Sequence, residues 1–192
     1  RQQRTGSISV LKMIKFNIAT INRCTEVEGP FKRLTIWFQG CNIGCRGCCN
    51  PGYQPLISKH IISLDELMDI IAQASKEFGI EGVTYTGGEP TLQQNLPSLT
   101  KKVKELGLGV ISFTGHKYED VATMLHGCDM VLDGSFKYDS PERERKLLGS
   151  ANQRIILLTD RYKDAIGWFD SSGVKTIEVN VGNVILVNGD IF

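Results

Sequence analysis

No apolar run in the 192 residues approaches the roughly 18 that a membrane-spanning helix needs, and the start of the chain lacks the apolar core of a secretion signal. Charge of one sign is missing too: 22 Lys and Arg stand against 21 Asp and Glu, a net of +1. No large field is therefore available to grip a phosphate backbone or an anionic bilayer, which argues against nucleic acid and membrane as main partners. Histidine is scarce, and none of His60, His116 and His126 stands in a pattern that assigns it catalysis. Internal repeats and low-complexity linkers are absent, so with 41% hydrophobic residues the chain can bury one substantial core. A cytoplasmic protein is expected.

Cysteine, by contrast, is present in an informative pattern. Of six, three form a C-x₃-C-x₂-C triplet, Cys41, Cys45 and Cys48. A four-iron cluster normally takes four thiolates and a structural zinc site four closed ligands, so a compact triplet leaves one coordination position for something small. Zinc is the competing reading, but zinc modules usually present two separated pairs. Cys49 directly follows Cys48, and adjacent residues rarely turn both side chains to one centre, so it reads as a packed thiol beside the site. Cys24 and Cys128 stand alone and read as small buried apolar side chains in a reducing compartment.

Residues 1–12 read as a tag or disordered tail and 13–192 as one domain. Short β-branched runs alternate with helix-length amphipathic segments, the pattern of an α/β fold with a mostly parallel sheet. Strands are expected at Leu34–Gln39, Gly82–Thr86, Val110–Thr114, Met130–Asp133 and Arg154–Leu158. A loop of about twenty residues is expected after the first of these, longer than packing needs and long enough to be functional. Ser63-Leu64-Asp65-Glu66 is a capping box opening a helix whose apolar face carries Leu64, Leu67, Met68, Ile71, Ala74 and Phe78, stopped by Gly79. Leu96, Leu99, Val103 and Leu106 mark a second helix, Glu119–His126 a short third one. Thr176–Val181 and Val184–Asn188 alternate around Gly182-Asn183 as a closing hairpin.

In parallel α/β architectures the loops leaving the C-terminal strand ends line the ligand crevice. Here those loops carry the cysteines, Thr86-Gly87-Gly88-Glu89-Pro90, Thr114-Gly115-His116-Lys117 and Asp133-Gly134-Ser135-Phe136, so all four should open onto one mouth. Paired glycines let a backbone approach a ligand, and Glu89 adds a negative charge suited to an ammonium group. Taken alone, Gly-Gly-Glu-Pro reads more readily as only a tight turn; the cysteine triplet beside it favours the functional reading.

Together, Cys41-x₃-Cys45-x₂-Cys48 after one strand and Gly87-Gly88-Glu89-Pro90 after the next resemble the radical S-adenosylmethionine superfamily. Glu28-Gly29-Pro30, Trp37-Phe38-Gln39-Gly40-Cys41, Cys48-Cys49-Asn50-Pro51, Thr114 to Glu119, Leu132 to Phe136 and Gly149 to Arg154 narrow the likeness to activating proteins of class III anaerobic ribonucleotide reductases. That resemblance covers about Met13 to Leu158. Cys49 stands where such activases often have histidine or an aromatic, and Gly-Gly-Glu replaces their frequent Gly-Gly-Asp. The segment from Asp160 onward is longer than a minimal activase.

The resemblance implies a partial (β/α) barrel with an added C-terminal β-hairpin, and a [4Fe-4S] cluster on Cys41, Cys45 and Cys48 whose open iron is chelated by S-adenosylmethionine. It implies that Gly87, Gly88 and Glu89 hold the methionyl end and that Thr114 and Asp133 meet the adenosyl end, although Asp133 also suits a turn cap. Gly149–Arg154 would line the cleft, dock the partner or form a polar turn. The implied reaction is reductive cleavage of S-adenosylmethionine to a 5′-deoxyadenosyl radical that generates a glycyl radical on the reductase large subunit, with flavodoxin or ferredoxin as electron donor. Three other readings remain: an activase of another glycyl radical enzyme, a radical enzyme acting directly on a peptide or small molecule, and a non-catalytic iron–sulfur electron-transfer or sensing module.

Overall fold

The computed structural model describes residues 14–170, 176–181 and 185–189. The opening strand β1 (Lys15–Thr25) pairs antiparallel with β2 (Arg33–Phe38) on one side and with β3 (His60–Ser63) on the other. From β2 the sheet continues through β4 (Gly82–Gly87), β5 (Gly109–Thr114) and β6 (Met130–Asp133), all parallel, and ends on antiparallel β7 (Arg154–Leu157). The order β3-β1-β2-β4-β5-β6-β7 leaves two edges, so this α/β sheet is a partial barrel that does not close. The closing hairpin, β8 (Ile177–Val181) with β9 (Ile185–Gly189), forms a separate two-stranded sheet. Its expected turn at Gly182-Asn183, like the tail at residues 1–12, lies outside the described residues.

Helix α1 (Leu64–Phe78) begins where the capping box predicts. Ser63 Oγ accepts the Glu66 N–H, the Glu66 carboxylate accepts the Ser63 N–H, and Gly79 ends the helix at φ 63°. A fifteen-residue helix is marginal in water. Its Leu64, Leu67 and Ile71 are buried against the sheet, and at about 1.5–3 kcal/mol each they outweigh the cap. Helix α2 (Leu96–Glu105) packs beside it on the same face, over Leu34, Ile36, Val83 and Val110. Helix α3 (Tyr118–Val121) is four residues long where eight were expected; its N-cap, Lys117, offers no side-chain acceptor, and turns replace the rest. Among the described residues no helix is long and apolar enough to cross a membrane.

The other face of the sheet carries a second core, in which Ile111, Met130 and Leu132 meet Leu147, Leu148, Tyr162 and Phe169. At the N-terminal strand ends this face is plugged by Arg33, which is fully buried. Its guanidinium donates to Thr84 Oγ1 (2.7 Å), Tyr162 Oη (2.9 Å), the Val83 carbonyl (2.9 Å), Glu81 Oε2 (3.0 Å) and the Pro30 carbonyl (3.2 Å). A Cβ on Gly109 would stand 2.0 Å from Tyr162 Oη, so glycine there makes room for the ring. With the bottom filled, the space left on this face opens at the C-terminal strand ends.

The long loop expected after β2 is there, carries the cysteines and has ordered pieces of its own. It contains a 3-10 turn at Pro51–Tyr53 and then β3, a short exposed edge strand. Backbone bonds from Gly40 N to Tyr53 O (2.8 Å) and Cys41 N to Gln54 O (2.9 Å) fasten its return limb alongside the start of the cysteine segment.

Candidate active site

One cavity, with about 1010 Å³ of empty space including open solvent at its mouth, occupies the top of the second face. The four strand-end loops converge there as expected. Cys41, Cys45 and Cys48 line it after β2, Gly87 and Gly88 after β4, Thr114 and Gly115 after β5, and Gly134 and Phe136 after β6. Trp37, Ile43, Phe113 and Leu132 make much of the wall apolar, a mix suited to a large organic ligand.

The cysteine loop is tightly wound. Gly44 and Gly47 sit at φ 68° and 75°, and the segment leans on the β6 loop, with the Arg46 guanidinium 5.0 Å from the Tyr138 ring centroid. Cys41 Sγ accepts the Ile43 N–H and Cys48 Sγ the Asn50 N–H, each at 3.4 Å. A hydrogen bond from Cys49 holds the Cys48 thiol well below its ordinary range, helped by the Asn50 N–H and Gln54; giving that bond, and burial, push Cys49 up. Burial also raises Cys45, opposed by a Phe136 N–H and reinforced by the charges of Cys48 and Cys41. Three thiols lining one cavity, with Cys45 near enough to the other two to feel their charge and with amides aimed at the sulfurs, are a donor set that fits a cationic cluster. All six cysteines are free, and among the described residues no three His, Cys, Asp or Glu side chains are grouped to hold a single ion.

Opposite the cysteines, Gly87 and Gly88 serve packing as well as access. A Cβ on Gly88 would lie 2.2 Å from the Gly40 carbonyl oxygen, and one on Gly87, at φ 105°, 2.5 Å from Phe38 N. The close approach brings the ends of β2 and β4 together, with Gly88 N–H donating to Phe38 O and Glu89 N–H to Gly40 O, both at 2.8 Å.

Glu89 lies behind this wall rather than in it. Its carboxylate is 1% exposed; Oε1 accepts from Thr91 N (3.0 Å), Thr91 Oγ1 (2.7 Å) and Thr114 Oγ1 (2.9 Å), while Oε2 accepts the Gly115 N–H at 2.8 Å. The charge expected to face an ammonium group thus faces protein donors. Asp133 is likewise 1% exposed, accepting the Tyr118 N–H at 2.7 Å and paired with Arg154, which also reaches Glu119. Of the five residues expected around the cofactor, Gly87, Gly88 and Thr114 reach the cavity, and Glu89 and Asp133 brace the loops that form it. His116 does not line the cavity.

Within Gly149–Arg154 the roles divide. Gly149 and Gln153 line the cavity, with Gln153 Oε1 accepting the Gly149 N–H at 2.8 Å and Nε2 donating to Gly134 O at 2.9 Å. Arg154 is committed to Asp133 and Glu119. Residues not anticipated from sequence are Gln54 and the hairpin's Val187, Asn188 and Gly189, all in the cavity wall, whereas Glu28 and Asn50 stood in sequence as parts of family-like motifs. Trp37 was legible as part of a motif, but its pairing with Thr86 in register, which aims both at the cavity, required the sheet.

A family model described as a 4Fe-4S single cluster domain matches residues 27–156, which contain all four strand-end loops. The anaerobic ribonucleoside-triphosphate reductase-activating protein of Enterobacteria phage T4 is 29% identical over 155 residues, 75% of this chain and 96% of the relative. That of Pasteurella multocida is 30% identical over 147 residues, 69% of this chain and 92% of the relative. The pyruvate formate-lyase-activating enzyme of Clostridium pasteurianum is 31% identical over 124 residues, 62% of this chain but 52% of the relative. Motif, cavity and kinship coincide in the same residues, and the chain belongs to the radical S-adenosylmethionine 4Fe-4S domain family, among the anaerobic ribonucleoside-triphosphate reductase-activating proteins and related glycyl-radical activases.

Proposed function

We propose that this protein generates a glycyl radical on the large subunit of an anaerobic ribonucleotide reductase, drawing its electron from a flavodoxin or ferredoxin in the cytoplasm. The observation that carries this reading is the convergence of three cavity-facing thiols with the Gly87-Gly88 and Thr114-Gly115 strand ends around one open cavity. Near-complete coverage of two reductase-activating relatives, against half of the formate-lyase activase, favours the reductase over other glycyl radical enzymes.

Cys41, Cys45 and Cys48 would hold the cluster as thiolates, leaving one iron for the amine and carboxylate of S-adenosylmethionine. When bound, the pair supplies the reductive cleavage that yields a hydrogen-abstracting radical. The remaining work belongs to the chain. Gly87, Gly88 and Thr114 would orient the cofactor, Glu89 and Asp133 would keep their loops in place from behind, and Trp37, Ile43, Phe113 and Phe136 would exclude water from the reacting atoms.

The test is anaerobic reconstitution followed by reduction with and without S-adenosylmethionine. The cluster's electron paramagnetic resonance signal, 5′-deoxyadenosine and the glycyl radical on purified reductase are read in the same samples. A cofactor-dependent signal change with 5′-deoxyadenosine, both lost in Cys45→Ala, and a radical on the reductase but not on a formate-lyase, is the expected result. A loaded cluster that neither senses nor cleaves the cofactor would return the protein to an electron-transfer or sensing role.

A further inference from the structure

The C-terminal hairpin lies beyond the matched residues 27–156, yet it completes the cavity wall with Val187, Asn188 and Gly189. Its two faces are reversed from the usual arrangement, in which a half-buried sheet turns its apolar side inward. The polar side docks on the body: Glu178 accepts from Thr25 Oγ1 (2.7 Å) and Asn22 Nδ2 (3.3 Å), and Gly189 N–H donates to Glu28 Oε1 (2.9 Å). The apolar side looks out. Val179 pairs with Val187 and Val181 with Ile185, so these four share a face with Ile177, and their exposures run from 44% to 79%.

Asn188, 2% exposed, marks where this hairpin meets the cavity. Its Nδ2 donates to Thr25 Oγ1 at 3.1 Å. Thr25 spends its single hydroxyl proton on Glu178, so it can only accept from Asn188, which fixes the amide nitrogen on that side. The Asn188 carbonyl oxygen is then left buried and without a partner among the described residues. Buried acceptors are almost always satisfied, so an orphan in a cavity wall is a place for an incoming donor.

We propose that the hairpin is the docking element for the polypeptide whose glycine loop enters the cavity: its apolar face packs against that partner's body, and Asn188 Oδ1 accepts a backbone N–H of the inserted loop. This rests on the activase reading. The occupant follows from continuity, because Val187 belongs both to the apolar face and to the cavity wall, so a body that inserts a loop there must lie over the hairpin. A small substrate would leave that face bare. The face carries no charge, which suits an apolar protein surface. Five Val and Ile side chains offer on the order of 400 Å², about half of the ~800 Å² per partner that a stable interface buries. A second copy joined through this face alone falls short, whereas a partner that also fills the cavity supplies the missing area.

The test is Val181→Glu combined with Ile185→Glu in the cluster-loaded full chain. Glycyl radical formation is titrated against purified reductase large subunit, and 5′-deoxyadenosine release is measured without partner. The reductase concentration for half-maximal activation should rise at least tenfold while partner-independent release stays at the wild-type rate; an unchanged titration overturns the proposal. Asn188→Ala should lower the maximal yield of glycyl radical per 5′-deoxyadenosine, and an unchanged ratio overturns the assigned acceptor. Should circular dichroism show the double variant misfolded, Val179→Ser gives the same reading. Wild type is run alongside against reductase and formate-lyase: a radical on formate-lyase alone changes the target and moves the titration there, and none on either removes both readings. A wild-type dimer that the double variant splits would assign the face to a second copy and overturn the proposal.

Discussion

Gly115 donates its backbone N–H to Glu89 Oε2 at 2.8 Å, and this bond ties the loop after β5 to the loop after β4 from beneath the cavity floor. With Thr114 Oγ1 and both donors of Thr91 on the other oxygen, the carboxylate accepts four hydrogen bonds from the protein. Glutamine in its place keeps the size but sets an N–H against one of those donors. Glu89→Gln should therefore cost about 1–3 kcal/mol, the penalty for a buried donor left unmade. At this chain length that is roughly 2–4 °C of melting temperature per kcal/mol. Cofactor affinity should fall with it, because Thr114 and Gly115 line the cavity. Thermal unfolding and cofactor titration of the variant check this; wild-type values in both would show that the carboxylate does not brace the loops.

Gly88→Ala tests the approach of β2 and β4. The added methyl would stand 2.2 Å from the Gly40 carbonyl oxygen, a backbone atom with no rotamer to yield, so the strand ends must part. Gly40 directly precedes the first cysteine, and the displacement passes straight into the cluster loop. Iron and labile sulfide per chain after reconstitution should fall well below wild type, together with the melting temperature. Full iron loading would mean that the two loops move independently.

Arg33→Ala strikes the opposite end of the sheet. Removing the buried side chain takes from Tyr162 Oη and Thr84 Oγ1 the donor each accepts, although both keep their own bonds to Glu81 and the Glu28 carbonyl, and the space it leaves in a packed core costs about 2–5 kcal/mol. Tyr162 lies in the 3-10 segment Asp160–Phe169 that covers the second core, so this segment should loosen first. Urea unfolding followed by tryptophan fluorescence reads both, since Trp168 stands 5.1 Å from Phe169 in that segment. Arg33→Lys should not rescue, because an ammonium cannot reproduce five divergent donors.

The sheet and its mouth were legible because each parallel strand is a short apolar run and each useful loop begins at its end. Met130–Asp133 matches to the residue, and the others differ by one at an end or at each end. β3 was not legible, being four largely exposed residues that run directly into a capping box. The roles of Glu89 and Asp133 behind the wall were hidden for a different reason. A carboxylate at a strand end looks the same in sequence whether it faces a ligand or the amides of a neighbouring loop, and only the positions of Gly115 and Tyr118 decide. The hairpin's alternation was clear, but which face turns inward depends on Thr25 and Asn22, more than 150 residues away.

That inward face carries a pH dependence of its own. Burial raises the Glu178 carboxyl, but hydrogen bonds from Asn180, Thr25, Asn22 and the Glu26 backbone outweigh it and hold the group below the ordinary carboxylate range. A group lowered in the docked state favours docking when charged. Its contribution is complete above the ordinary carboxylate range and is lost as pH falls through the lowered value. Amide chemical shifts at Thr25 and Asn22 should therefore hold steady from neutrality to mildly acid pH and then move together as the hairpin loosens, before the sheet melts. Glu178→Gln should abolish that acid step while keeping a side chain that can still accept from Thr25. A step of the same size in the variant would place the titrating group elsewhere and leave the hairpin held by Asn188 and Gly189 alone.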